Sequence, residues 1–232
     1  MKQQLKCCAE KINVMLTENQ LDQFALYYEL LKEWNQKMNL TAIIKPEEVV
    51  QKHFVDSLTC LETGLLKSGK LIDIGTGAGL PSIPLKIACP SLNMVLLDSL
   101  QKRLFFLEEV INQLGLDSIS LVHSRAEDAG QKPEFREKFD IAIARAVAPM
   151  NVLAELCLPF VKKGGYWIAM KGSQGQAELD QAKGAISLLG GSHPNIMTTA
   201  IDSHTVISVK KSENSPKKYP RKAGMPSKNP LS

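Results

Sequence analysis

The 232-residue chain lacks any run of about eighteen uncharged apolar residues, so no membrane-spanning helix is expected. Its opening residues, Met1-Lys-Gln-Gln-Leu5, have none of the apolar core that a secretory signal needs. Cysteine is sparse. The five thiols (Cys7, Cys8, Cys60, Cys89 and Cys157) are odd in number and include no Cys-x-x-Cys pair, which argues against a disulfide framework or a zinc site. Reduced thiols and no targeting segment point to the cytoplasm. His123, His193 and His204 show no ligand spacing, and no metal is expected.

Charge is mild in total, at +4, but uneven. Seven basic residues and one acid, Glu213, fall between Lys210 and Ser232, a local +6 that leaves the remaining chain near −2. A nearly neutral body with a basic edge suits a polyanionic partner. At this length there is room for one α/β domain of about 150 residues plus extensions.

The most informative stretch is Lys70-Leu-Ile-Asp-Ile-Gly-Thr-Gly-Ala-Gly-Leu80. An apolar run ends in glycines at alternate positions, Gly75, Gly77 and Gly79, and Pro81 opens a helical segment through Ala88. Strand, tight turn and helix in that order make the first unit of a nucleotide-binding α/β fold. Glycines there let the backbone bend sharply and let a ligand approach it closely. The second strand, Met94-Val-Leu-Leu-Asp98, ends in a carboxylate suited to two ribose hydroxyls. Ser99 is the expected N-cap of the next helix, which Gly115 closes.

Dinucleotide loops run G-x-G-x-x-G, and the third glycine here arrives one residue early. Asp73 also sits two residues before the first glycine. A carboxylate at that tip repels a pyrophosphate and attracts an ammonium group. Charge therefore favours S-adenosylmethionine over a nicotinamide dinucleotide.

Ahead of this core, residues 4–16 read as a weak helix, Thr17-Glu-Asn-Gln20 as a capping box, and 21–38 as an amphipathic helix. A further helix is expected over 46–61, carrying His53, Asp56 and Ser57. Beyond the second unit, strands are expected at 118–123, 140–144 and 166–170, the last entered by a turn at Gly164-Gly165. Helices over 149–161 and 174–189 alternate with them, and strands 195–201 and 204–209 form a closing hairpin. The expectation is an α/β, doubly wound, seven-stranded sheet of the class I, Rossmann-like methyltransferase type with an N-terminal helical extension. Its parts are a helical cap (1–65), a cofactor-binding core (66–211) and a basic Pro-rich segment (212–232). Ligands of such sheets lie at the carboxyl ends of the strands. Asp73, Asp98, Ala126, Glu127, Arg145 and Lys171 fall there, with Ala126 and Glu127 placed to frame an adenine edge.

No Asn-Pro-Pro-Tyr motif follows the fourth strand, where Arg145-Ala-Val-Ala-Pro149 stands instead, and no cysteine nucleophile lies there. No chemical catalyst is assigned. Guanine N7, a lone pair carrying no proton, fits a site that only orients and desolvates. Acceptors served by water or by an unrecognised carboxylate remain open.

Taken together, several motifs resemble the RsmG (GidB) family of small-subunit ribosomal RNA guanine-N7 methyltransferases. They are Trp34-Asn-Gln-Lys-Met-Asn-Leu-Thr41, His53-Phe-Val-Asp-Ser-Leu58, Asp73 through Pro81, Leu97 through Arg103, Arg125-Ala-Glu127, Arg145-Ala146, Lys171-Gly172 and Tyr219-Pro-Arg-Lys-Ala-Gly-Met-Pro226. The resemblance implies methylation of guanine N7 in the 530-loop region of 16S rRNA, with the small ribosomal subunit as partner; a monomer is expected. It places Gly75, Leu80, Ala126, Glu127 and Arg145 at cofactor contacts. Leu80 and Ser82 depart from the family's usual Phe and Gly. The family's Pro-Arg-Lys-x-Gly-x-Pro segment implies an ordered strip on the substrate face. Arg221 and Lys222 are expected on RNA phosphate, with Lys171 and Arg145 nearer the target base.

Overall fold

The computed structural model describes residues 1–145, 148–199, 201 and 203–232. Ala146, in one of the resembling motifs, lies outside them, as does Ala200 of an expected strand. Seven strands form one sheet in the order β3-β2-β1-β4-β5-β7-β6. They are β1 (Gly69–Ile74), β2 (Leu92–Asp98), β3 (Ile119–His123), β4 (Phe139–Arg145), β5 (Val161–Lys171), β6 (Gly191–Thr198) and β7 (Thr205–Lys211). β1 pairs in parallel with β2 and β4, while β7 runs antiparallel to both β5 and β6. The strand order reverses direction at β1, which is where ligands bind in open α/β sheets.

Alternation along the strands sorts side chains to two faces. Leu71, Met94, Ile141, Ile143 and Ile168 face one way, toward α1 (Lys2–Lys11), α2 (Glu18–Asn35), α5 (Ser82–Ala88) and α6 (Gln101–Leu114). Ile72, Ile74, Ala142, Trp167 and Ala169 face the other, toward α7 (Ala126–Ala129), α8 (Met150–Cys157) and α9 (Gly175–Leu188). The N-terminal helices thus share an apolar layer with the sheet. Thr17 caps α2 reciprocally, as its pattern indicates: its hydroxyl accepts from Gln20 N–H at 3.3 Å and its own N–H donates to the Gln20 side chain at 2.9 Å.

Three local expectations change. The helix at 46–61 extends over 46–63 and is irregular: α3 (Pro46–Val49), a π-helical stretch (Val50–Val55), α4 (Asp56–Leu58) and a 3-10 turn (Thr59–Thr63). Instead of following a turn, β5 already begins at Val161 and bulges through Gly164-Gly165, so that Phe139 opposes Val161 while Ile141 opposes Tyr166. A Cβ at Gly165 would meet the Asp140 carbonyl at 2.4 Å, so only glycine permits that pairing. Ser99 does not cap α6. The N-cap position is Leu100, with no side-chain cap, and Asp98 Oδ1 instead fixes the turn into the helix by accepting from Leu100 N–H at 2.9 Å.

The chain leaves β7 at the sheet end opposite the glycine turn and climbs back along the α8 side. Buried Lys211 donates to the Leu158 and Leu189 carbonyls at 2.7 and 3.0 Å, and burial pushes its ammonium down to about 8. The Arg136 guanidinium collects the Ser215 and Tyr219 carbonyls at 2.8 and 2.6 Å. Higher up, Gln131 donates to the Pro220 carbonyl at 2.7 Å. The climb ends in a short turn of helix, α10 (Met225–Lys228), beside α7 and α8.

Candidate functional site

At the carboxyl ends of β1, β2 and β4 lies a cleft of about 550 Å³ whose walls include Gly75, Thr76, Gly77, Leu80, Asp98, Ala126, Glu127, Arg145 and, from the C-terminal segment, Ser227. The glycine turn is its floor. Gly75, Gly77 and Gly79 all take left-handed φ values of +72°, +59° and +87°, a conformation costly for any residue with a Cβ. Gly75 and Thr76 donate their N–H groups to the Leu97 carbonyl at 2.9 and 3.1 Å. Gly77 donates to Asp98 Oδ2 at 2.9 Å. At Gly79 a Cβ would strike Ile83 and Leu107 at 2.6 and 2.7 Å. Tyr27 of α2 reaches the turn and donates to the Ala78 carbonyl at 2.5 Å.

Of the two expected carboxylates, Asp98 lines the cleft, whereas Asp73 and Ser82 lie buried behind the glycine turn, outside its lining. Asp98, 2% exposed, accepts from Gly77 and Leu100 N–H and pairs with Arg103 at 3.3 Å. Asp73 is fully buried and, among the described residues, both its oxygens lack a completed hydrogen bond. The hydroxyls of Thr76 and Ser82, also buried, are likewise unpartnered. Burial pushes the Asp73 carboxyl up to about 7; the Ser82 and Thr76 hydroxyls pull it back without reaching full hydrogen-bond geometry, and the Asp98 charge raises it. A buried carboxyl and two hydroxyls without partners form an unusual cluster, because such groups are nearly always satisfied. It fits a cationic, hydrogen-bond-donating ligand group.

Above the floor, Arg145 is a hub. Its guanidinium pairs with buried Asp56 at 3.0 Å, donates to the Lys52 carbonyl at 3.1 Å and to His53 Nδ1 at 2.9 Å. His53 Nδ1 thus lies between the Arg145 guanidinium, which only donates, and the Lys52 carbonyl at 3.0 Å, which only accepts, while Nε2 is 2.8 Å from the Thr41 hydroxyl. Burial, reinforced by the Arg145 charge, lowers His53 to about 4. The widened π turn carries Lys52 and His53 up to this arginine, and Ser57 of α4 accepts from it at 3.4 Å. His204 completes the cluster, its Nδ1 lying 2.8 Å from Asp56.

Three expected substrate contacts are placed differently. Lys171 is 8% exposed at its side chain and engaged, with Glu178 at 2.7 Å and the Ala148 carbonyl at 2.8 Å. It ties Ala148 to α9 instead of facing the opening. Arg221 also does not stand free: its Nε and Nη2 fork onto fully buried Glu155 at 2.9 and 2.6 Å. A charge already paired with a buried carboxylate is a poor phosphate ligand, since releasing it strands that carboxylate. Arg145 borders the cleft with its guanidinium occupied as described. Of the four, only Lys222 is exposed, with no ion pair among the described residues.

Several contributors carried no sequence signal strong enough to single them out. Thr76 and Ser82 sit inside the glycine motif but were eclipsed by its glycines and acid. Glu155 lies in an apolar helix, and its partner is 66 residues away.

A family model described as "GidB: rRNA small subunit methyltransferase G" matches residues 20–206. The chain is similar to ribosomal RNA small subunit methyltransferase G of Alkaliphilus oremlandii, with 50% identity over all of this chain and 99% of the relative. It is 52% identical to the protein of that name from Lachnoclostridium phytofermentans, over 93% and 91% of the two chains. Among solved structures, a putative S-adenosyl-L-methionine-dependent methyltransferase from Methanococcus maripaludis superposes with a TM-score of 0.56 at 17% identity, covering 81% of this chain and 93% of that one.

Proposed function

Because the chain belongs to the rRNA small subunit methyltransferase G family, we propose that its cleft holds S-adenosylmethionine between the two carboxylates and presents it to one guanine N7 of 16S rRNA. The enzyme is an S-adenosylmethionine-dependent methyltransferase of small-subunit ribosomal RNA. The observation that carries the site assignment is the unsatisfied cluster of Asp73, Thr76 and Ser82 at the tip of β1. The methionine ammonium matches it in charge and donors. Asp98 takes the ribose hydroxyls, and Ala126 and Glu127 frame the adenine.

The bound cofactor supplies an electrophilic methyl group on a sulfonium. The chain's own contribution is alignment, which for an in-line displacement supplies up to roughly 7–11 kcal/mol. Gly75, Gly77 and Gly79 set the depth of the cofactor, and Leu80 closes its methionine end. His53 is neutral, and its ring nitrogens are committed to Arg145 and Thr41. It is placed to shape the pocket, not to take a proton. Guanine N7 needs no base, in keeping with such a site.

Lys222 and the other exposed lysines of the C-terminal segment supply phosphate attraction, leaving selection of one guanine to RNA shape and a splayed base. Arg145, Lys171 and Arg221 support the substrate face from beneath by fixing the π turn, Ala148 and the C-terminal segment. Among the described residues no helix is long and apolar enough to cross a membrane, and the rRNA substrate favours the cytoplasm.

Incubation with labelled S-adenosylmethionine and small subunits tests this, followed by borohydride reduction and aniline scission, which cleave RNA at N7-methylguanine. One cleaved guanine in 16S rRNA is expected. Label that resists scission would refute the N7 assignment.

A further inference from the structure

The turn over 221–229 is built more firmly than RNA attraction requires. Glu155 accepts the Arg221 backbone N–H at 2.7 Å as well as its guanidinium, and Arg221 Nη2 also donates to the Asn229 carbonyl at 2.8 Å. One end of the turn is therefore tied directly to a buried carboxylate, and the other is tied to it through the Arg221 guanidinium. At its centre Gly224, with φ of +81°, donates its N–H to Glu127 Oε1 at 2.8 Å. One residue past Pro226, at Ser227, the same turn enters the cleft wall.

We propose that Glu155 and Arg221 are positioning residues for the cofactor, acting through this turn as a strap that forms the adenine-side wall. Gly224 occupies one oxygen of Glu127 and so orients the other toward the cleft, free to accept the exocyclic amine. A carboxylate held in that way loses less rotamer freedom when the adenine arrives. Strap docking and cofactor binding then favour each other, and by linkage the effect is reciprocal. The inference rests on the adenine placement proposed above.

Amide hydrogen exchange on the wild-type chain, with and without saturating S-adenosylmethionine, reads the coupling directly. Exchange over 222–228 is expected to slow by roughly tenfold, within the usual range for coupled sites. Unchanged exchange overturns the proposal. Arg221→Lys keeps the charge but loses the fork, and should weaken cofactor binding by a similar factor in a chain shown by thermal melting to be folded; unaltered affinity also overturns it. Glu127→Gln separates the two ideas. If that variant binds the cofactor normally, the adenine placement is wrong and the strap falls with it. If it binds weakly while exchange and Arg221→Lys show no effect, the strap alone is refuted.

Discussion

Cofactor affinity should depend on pH through Asp73. Burial keeps this carboxyl protonated up to about 7 in the free protein, whereas an ammonium beside it restores the ionised form. Binding therefore competes with a proton. For a group titrating near 7, the ionised fraction falls from roughly three-quarters at pH 7.5 to roughly a tenth at pH 6. If only that form binds, Kd rises about eightfold over the interval, or ~1.2 kcal/mol. His53, lowered to about 4, stays neutral throughout and adds nothing. Titration calorimetry from pH 6 to 7.5 makes the measurement. S-adenosylhomocysteine carries the same amino-acid end and should show the same factor; adenosine, which lacks it, should not. Asp73→Asn should bind weakly and without this slope. A wild-type Kd that is flat over the range, or adenosine sharing the dependence, would refute the reasoning.

Asp98→Ala should lose about 1.5–3 kcal/mol of cofactor binding, the range for hydrogen bonds to a charged group; calorimetry showing less than about a twofold change removes it as the ribose ligand. Gly79→Ala combines overpacking against Ile83 and Leu107 with a left-handed φ, and should destabilise the fold by about 2–5 kcal/mol in denaturant titration. His53 binds its proton near 6.5 when unfolded and only near 4 when folded. Its stability contribution is thus complete above pH 6.5 and is lost as pH falls toward 4, by up to about 3 kcal/mol. His53→Gln should have a flatter acid limb in melts over that window, and identical limbs would contradict the assignment. Lys222→Gln should reduce the salt slope of RNA binding by roughly 0.7–0.9, and an unchanged slope would take Lys222 out of the interface.

The turn at 75–79 and the acids at 73 and 98 were legible because each is set by a few neighbouring residues: alternate glycines force the bend, and a carboxylate after an apolar run lands at a strand tip. The doubly wound seven-stranded sheet and its closing hairpin follow from the alternation of strands and helices, whereas the strand order does not. What stayed hidden depends on distant partners. Arg221 reads as a free cation in a basic segment until Glu155 is brought beneath it by the sheet. Lys171 reads as a strand-end cation until α9 delivers Glu178. Asp98 reads as a ribose ligand, and nothing in its local pattern announces that it also anchors the N–H groups of Gly77 and Leu100. The bulge of β5 was read as a turn because Gly164-Gly165 suits either, and only pairing with β4 decides between them.

The antiparallel course of β7 has a consequence for chain length. Because that strand drops the backbone at the far edge, the stretch between Lys211 and Gly224 must span the height of the sheet with fixed attachments at both extremities. It acts as a ruler: losing or gaining one residue would carry Gly224 out of register with Glu127. Sequence drift at exposed Lys217 and Lys218 is compatible with that constraint, but gaps are not. A segment with the composition of a loose tail should therefore align among relatives as rigidly as a strand.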